Sequence, residues 1–196
     1  MIDDIRDIVA KELDEHRAAV DRIEEAQVAG LSRLVETVVS AWSAGGRLLT
    51  CGNGGSAADA QHLAAELTGR YRRDRPGWPA VALTTDTSAL TAIGNDLGFD
   101  QVFARQVQAL GRPEDVLLVI STSGDSENCV TAVAAAREIG LVCHGLLGGD
   151  GGRLGGLLDN PIVVPARSTP RIQELHVLMI HCLCEALERR HEGDLT

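Results

Sequence analysis

Two pairs of side chains in this chain have the types and spacing to move protons or hold a metal ion. His62 and Glu66 stand four residues apart in Gln61-His62-Leu63-Ala64-Ala65-Glu66. On a helix they lie roughly 40° apart around the axis and share one face. An imidazole and a carboxylate so placed can bind a metal together, supply proton-transfer groups, or simply pair on a solvated face. Gln173 and His181 are eight residues apart, roughly 80° around a helix, and can flank one cleft. His181 stands among Val177, Leu178, Met179, Ile180, Cys182, Leu183 and Cys184, which predicts a buried ring in need of partners. His176 points elsewhere on the same helix and reads as structural.

Two loops offer anion-binding chemistry. The apolar run Val116 to Ile120 gives way within one residue to Ser121, Thr122, Ser123, Gly124, Asp125 and Ser126, and helical spacing resumes with Val130, Val133, Ala134 and Ile139. A strand, a hydroxyl-rich turn and a helix start gather free backbone N–H groups, the positive end of a helix dipole and side-chain donors in one volume that suits a phosphate. The loop Cys51-Gly52-Asn53-Gly54-Gly55-Ser56-Ala57-Ala58-Asp59 adds glycines for close backbone approach and a Ser56–Asp59 capping box. It is neither Gly-x-Gly-x-x-Gly nor a loop followed by lysine, so dinucleotide and P-loop readings fail. Asn95 and Asp96, between two helical stretches, can form a turn or bind substrate hydroxyls.

These loops need a frame. Apolar runs at 47–51, 80–84, 116–120, 141–147 and 161–164 read as strands, with helical segments near 56–69, 88–110, 126–139 and 169–191. Thr169-Pro170 is a strong start signal for the last of these. Strands alternating with helices predict a parallel sheet with helices on both faces, whose ligands bind at the carboxyl ends of the strands. The glycine-rich stretch 148–156 reads as a flexible loop. Ahead of the sheet, Ile2, Ile5, Val9, Leu13, Val20 and Ile23 form one stripe of a long helix that Ala29-Gly30 breaks. A second helix follows through Leu31, Leu34, Val35, Val38, Val39 and Trp42. The expected organisation is a helical hairpin over residues 1–45 and an α/β core over 46–191, in one domain, with the stripe packed against another subunit.

Composition narrows the function. The 196 residues are 44% hydrophobic but only 3% aromatic, so the core must be built of Ala, Val, Leu and Ile. A net charge of −10 argues against nucleic acid, whose phosphates demand a basic surface. Five cysteines without framework spacing, an acidic start, and the lack of an 18-residue apolar run lead to the expectation of a cytoplasmic protein with reduced thiols and no membrane contact.

The chain resembles the sugar isomerase (SIS) family, and within it the phosphoheptose isomerase branch. The likeness runs from about Leu48 to Glu188. It is carried by Cys51 to Ser56, Asp59 to His62, Glu66 to Arg70, Asn95-Asp96, Arg105 to Val107, Ser121 to Gly124, Arg171 to Glu174 and Ile180-His181. The resemblance implies a single SIS domain with a five-stranded parallel sheet flanked by helices. It also implies aldose–ketose isomerisation of sedoheptulose 7-phosphate to D-glycero-D-manno-heptose 7-phosphate. By the same likeness Asn53, Gly54, Gly55, Asn95, Asp96, Ser121, Thr122, Ser123, Ser126 and Gln173 hold the substrate, and His62, Glu66, Gln173 and His181 bind one zinc ion. Glu66 and His181 become the catalytic acid/base residues, in sites shared between subunits of a homotetramer. Asp125, where the family commonly has asparagine, is expected to face solvent at the helix start. The rival is a non-catalytic SIS protein that associates with the bacterial replication initiator, which would not require an acid and a base to face each other. A sugar-phosphate sensor is a further possibility, but such regulators usually carry a DNA-binding module, and no such segment or basic patch is visible here.

Overall fold

The computed structural model describes residues 4–192. Its centre is a five-stranded, wholly parallel sheet: β1 (Leu48–Gly52), β2 (Ala80–Ala82), β3 (Val116–Ser121), β4 (Val142–Leu147) and β5 (Asn160–Val163), in the order β2-β1-β3-β4-β5. Every residue of β1 and β3 is buried, as strands covered on both faces require. One apolar layer packs the sheet against α2 (Glu25–Ser43), α3 (Gly55–Thr68) and α8 (Thr169–Glu192). The opposite layer packs it against α5 (Ala104–Leu110) and α6 (Glu127–Ile139). From β1 the chain moves outward to β2, then returns across β1 to β3. The two central strands therefore flank the switch point, with Gly52 in register with Ile120. The loops leaving β1 and β3 open there side by side.

The strand and helix pattern expected from sequence is present, with three local corrections. The amphipathic start is α1 (Ile5–Val20), and the break falls at Asp21–Glu24 rather than at Ala29-Gly30. Glu24 and Gln27 form a reciprocal capping box that starts α2 there. Gly30 is a buried helical residue: a Cβ on it would stand 2.9 Å from Ile162 Cγ1, so its lack of a side chain lets α2 lie against β5. Asn160 Nδ2 also donates to its carbonyl at 2.8 Å. Second, the glycine-rich stretch is ordered; it contains the short helix α7 (Gly152–Gly155), and the Leu154 N–H donates to Gly124 O at 2.9 Å. Third, the segment expected near 88–110 is α4 (Thr87–Asp96), a 3-10 turn at Phe99–Gln101, and α5.

The α1 stripe is open on the protomer. Ile5, Val9 and Leu13 are 67%, 49% and 48% exposed, while Val20 and Ile23 reach the core. Ile2 lies outside the described residues.

Candidate active site

The loop after β1 enters α3 through Gly54 and Gly55. No side chain caps this helix, so the expected Ser56–Asp59 box does not form; Ser56 lies within the first turn and is buried. A Cβ on Gly55 would collide with the Gln173 amide of α8, so glycine at 55 is what lets Gln173 lie over the start of α3. Asn53 forms a reciprocal amide pair with Asn128 of α6, each Nδ2 donating to the other's Oδ1 at 2.8 Å. The side chain of Asn53 thus ties the loop after β1 to the first turn of α6.

The loop after β3 folds around its first hydroxyl. Ser121 Oγ is buried, accepts the Gly124 N–H at 3.1 Å and lies 3.4 Å from Ser126 Oγ. Ser126 is the N-cap residue of α6 yet makes no side-chain capping bond; its hydroxyl pairs with Ser121 instead. Ser123 Oγ accepts the Asp125 N–H at 3.2 Å, and Thr122 is partly exposed. Gly124 has φ +71°, and its Cα faces the Gly151 carbonyl so closely that any Cβ would overlap it. Asp125 is exposed, as expected, and turned toward α7: its Oδ1 accepts the Arg153 N–H at 3.0 Å, and the Arg153 guanidinium, 2.7 Å from Glu127, also lies 3.7 Å from Asp125. One guanidinium thus serves both carboxylates at the start of α6.

The candidate proton-transfer groups lie between α3 and α8. His62 Nε2 lies 3.1 Å from Glu66 Oε1, and the His62 and His181 rings meet edge-on with centroids 5.1 Å apart. Tyr71 stacks on His181 at 5.6 Å with 25° between planes. His181 is half-buried rather than enclosed, and it opens onto a groove of about 550 Å³ lined by Tyr71, Arg72, Leu178, Cys182 and Arg189. The fully buried histidine of α8 is instead His176. Both its ring nitrogens lack a geometric hydrogen-bond partner, and burial pushes its pKa down to about 4, against an opposing pull from the Leu147 backbone. Cys184 is inert: burial first, then the neighbouring Glu66 and Glu188 carboxylates, push its thiol up to about 12.

Asn95 and Asp96 stand apart from this cluster. They end α4 in solvent, with Asn95 Nδ2 bonded to Asp96 Oδ1 at 2.7 Å, beside the exposed Leu97 and Phe99. Sequence reading also missed Tyr71, Asn128 and Arg153. Tyr71 could have been flagged as the lone tyrosine, five residues after Glu66.

A parallel α/β domain with a hydroxyl-rich loop at its switch point, and an imidazole–carboxylate cluster between α3 and α8, has the build of a sugar-phosphate isomerase domain. The profile of the SIS domain family matches residues 13–148. The chain belongs to the phosphoheptose isomerases of that family. It is 50% identical over 185 residues to a phosphoheptose isomerase of Helicobacter pylori (strain P12), covering 94% of this chain and 96% of the relative. It is 48% identical over 194 residues to one of Geotalea daltonii, covering 99% of each. Among solved structures, a phosphoheptose isomerase from Neisseria gonorrhoeae superposes with a TM-score of 0.89 at 47% identity, over 94% of this chain and 99% of that one.

Proposed function

We propose that the chain interconverts sedoheptulose 7-phosphate and D-glycero-D-manno-heptose 7-phosphate through an enediolate. The observation that carries this reading is His62, which contacts both Glu66 on its own helix and His181 of α8, two turns along the helix that leaves the glycine loop of β1. Moving a carbonyl from C2 to C1 requires removal of the C1 proton and its return to C2. Glu66 is the base for that transfer, and its conjugate acid delivers the proton to the neighbouring carbon. His181 carries the proton between the two oxygens, taking it from one as the other is protonated. Ser121, Thr122, Ser123 and Ser126, with the loop N–H groups, hold the phosphate. Gln173 and the Asn53-Gly54-Gly55 backbone face the sugar.

His62, Glu66, Gln173 and His181 are the residues that would hold a zinc ion. Their nitrogen and oxygen donors suit it in kind, although among the described residues no three His, Cys, Asp or Glu side chains converge as a ready-made site. Bound zinc would act as a Lewis acid on the substrate oxygens. Metal analysis of the purified protein, with and without chelator, tests this assignment.

The active assembly is a homotetramer with sites shared between subunits. In favour stand the open stripe of Ile5, Val9 and Leu13, and the exposed Leu97 and Phe99 that follow Asn95 and Asp96. A neighbouring copy covering these surfaces would carry Asn95 and Asp96 to a site they do not reach within the protomer. A cytoplasmic location suits the free thiols among the described residues, and no described helix is long and apolar enough to cross a membrane.

The deciding experiment incubates the purified protein with sedoheptulose 7-phosphate and follows aldoheptose phosphate by NMR. Aldose formation is expected. None in the presence of added zinc would leave a sugar-phosphate binding protein in place of an enzyme.

A further inference from the structure

The segment between α3 and β2 has no regular structure, yet three successive backbone N–H groups in it converge on a single carboxylate. Glu188 of α8 accepts from Tyr71 at 3.2 Å, Arg72 at 3.1 Å and Arg73 at 3.1 Å. Arg75 Nε completes the set at 3.1 Å. The Glu188 side chain is fully buried, and that of Arg75 is 4% exposed. Arg75 also donates Nη2 to Glu66 O and Nη1 to Leu67 O, each at 2.9 Å, which closes carbonyls at the end of α3. Its guanidinium lies over the Trp78 ring at 3.6 Å. The Arg75–Glu188 pair therefore bolts the end of α3, at Glu66, to α8 two turns beyond His181.

What the clasp holds is Tyr71. An irregular segment pinned by three consecutive amides has little freedom, and its first residue lays an aromatic ring on His181 while His62 meets the same imidazole edge-on. Two ring contacts at different angles fix the plane of an imidazole that is otherwise half-exposed. The direction of its nitrogens toward the substrate oxygens follows from that plane, and misalignment of a proton carrier is costly in rate.

We propose that Glu188 is a positioning residue of the active site, acting through Tyr71 to set the orientation of His181. The proposal rests on the isomerase reading for its kinetic arm and on the structure alone for its spectroscopic arm. A purely structural role would lower stability without singling out turnover or the His181 ring.

Tyr71→Phe, Tyr71→Ala, Glu188→Gln and the double variant Tyr71→Ala/Glu188→Gln are made in the full chain. With sedoheptulose 7-phosphate, Tyr71→Ala and Glu188→Gln should each lose about tenfold in kcat with KM within about twofold. Tyr71→Phe keeps the stack and should keep the rate. The double variant should be no slower than the slower single, because both act through one ring. In parallel, the His181 ring-proton resonance, assigned with His181→Asn, should move in Tyr71→Ala and Glu188→Gln and stay in place in Tyr71→Phe. A Tyr71→Phe variant as slow as Tyr71→Ala, multiplicative losses, or an unmoved His181 resonance in folded Glu188→Gln would each overturn the proposal. If Glu188→Gln does not fold, Glu188→Asp, which keeps the charge but withdraws it by one methylene, carries the same expectations. If the wild type shows no isomerisation, the functional reading alone falls, and the resonance still decides whether Glu188 orients His181.

Discussion

Glu66 has a side chain about three-quarters buried, with one oxygen against His62 and its own carbonyl held by Arg75. Glu66→Gln keeps that shape but cannot accept a carbon-bound proton. Turnover should fall by about a hundredfold or more, while KM stays near the wild-type value because the proposed phosphate contacts lie on other residues. Exchange of the substrate C1 hydrogen with deuterated water should fall in step. Zinc content measured on the same sample separates loss of the base from loss of metal. His62 and Glu66 were readable from sequence because a four-residue step shares a helix face whatever the fold does. The ring on His181 and the Asn53–Asn128 pair were not: Asn53 and Asn128 are 75 residues apart, and only the sheet brings such partners together. Burial of His181 was misjudged for a related reason. Apolar neighbours in sequence surround a helical residue on all sides, whereas in space one side of α8 opens onto the groove.

At the level of elements, the central strands and α3 were legible because an apolar run flanked by glycine and hydroxyl residues admits few alternatives. Helix boundaries depended on local bonds that sequence shows less directly. Gly30 looked like a breaker, yet it is a contact surface for β5, and the true break is set by the Glu24–Gln27 box. The same lesson holds for residues 148–156, whose glycines fold tightly against the phosphate loop. Gly124→Ala tests that joint. A methyl group there meets the Gly151 backbone, which cannot rotate aside as a side chain could, and the positive φ adds strain. The cost should be about 1–3 kcal/mol in urea denaturation, with KM for the sugar phosphate raised several-fold as the loop shifts.

For the whole molecule, pH and assembly are the informative variables. His144 and His176 both have pKa values lowered to about 4, in each case chiefly by burial. Between pH 6.5 and 4 the unfolded chain binds protons that the native state refuses. Their contribution is complete above pH 6.5 and drains away as pH falls toward 4, at about 1.4 kcal/mol per pH unit for each histidine. Urea denaturation from pH 7 to 4.5 should show this slope, and His176→Leu should reduce it by one proton's worth. Sedimentation should give a species well above the 20.8 kDa protomer. Leu13→Asp, which places a charge on the open stripe, should shift it toward smaller species and lower activity; a fully active monomer would remove the shared site from the account. The placement of the chain's two tryptophans has an optical consequence. Trp42 and Trp78 stand with ring centroids 4.9 Å apart, and Arg75 covers Trp78. Neither indole borders the loops that would grip the phosphate, so intrinsic emission should stay nearly constant on titration with inorganic phosphate and change when Glu188 is substituted. The molecule's own fluorescence thus watches the Arg75–Glu188 clasp between α3 and α8, and a ligand assay built on it would be blind at the proposed phosphate loop.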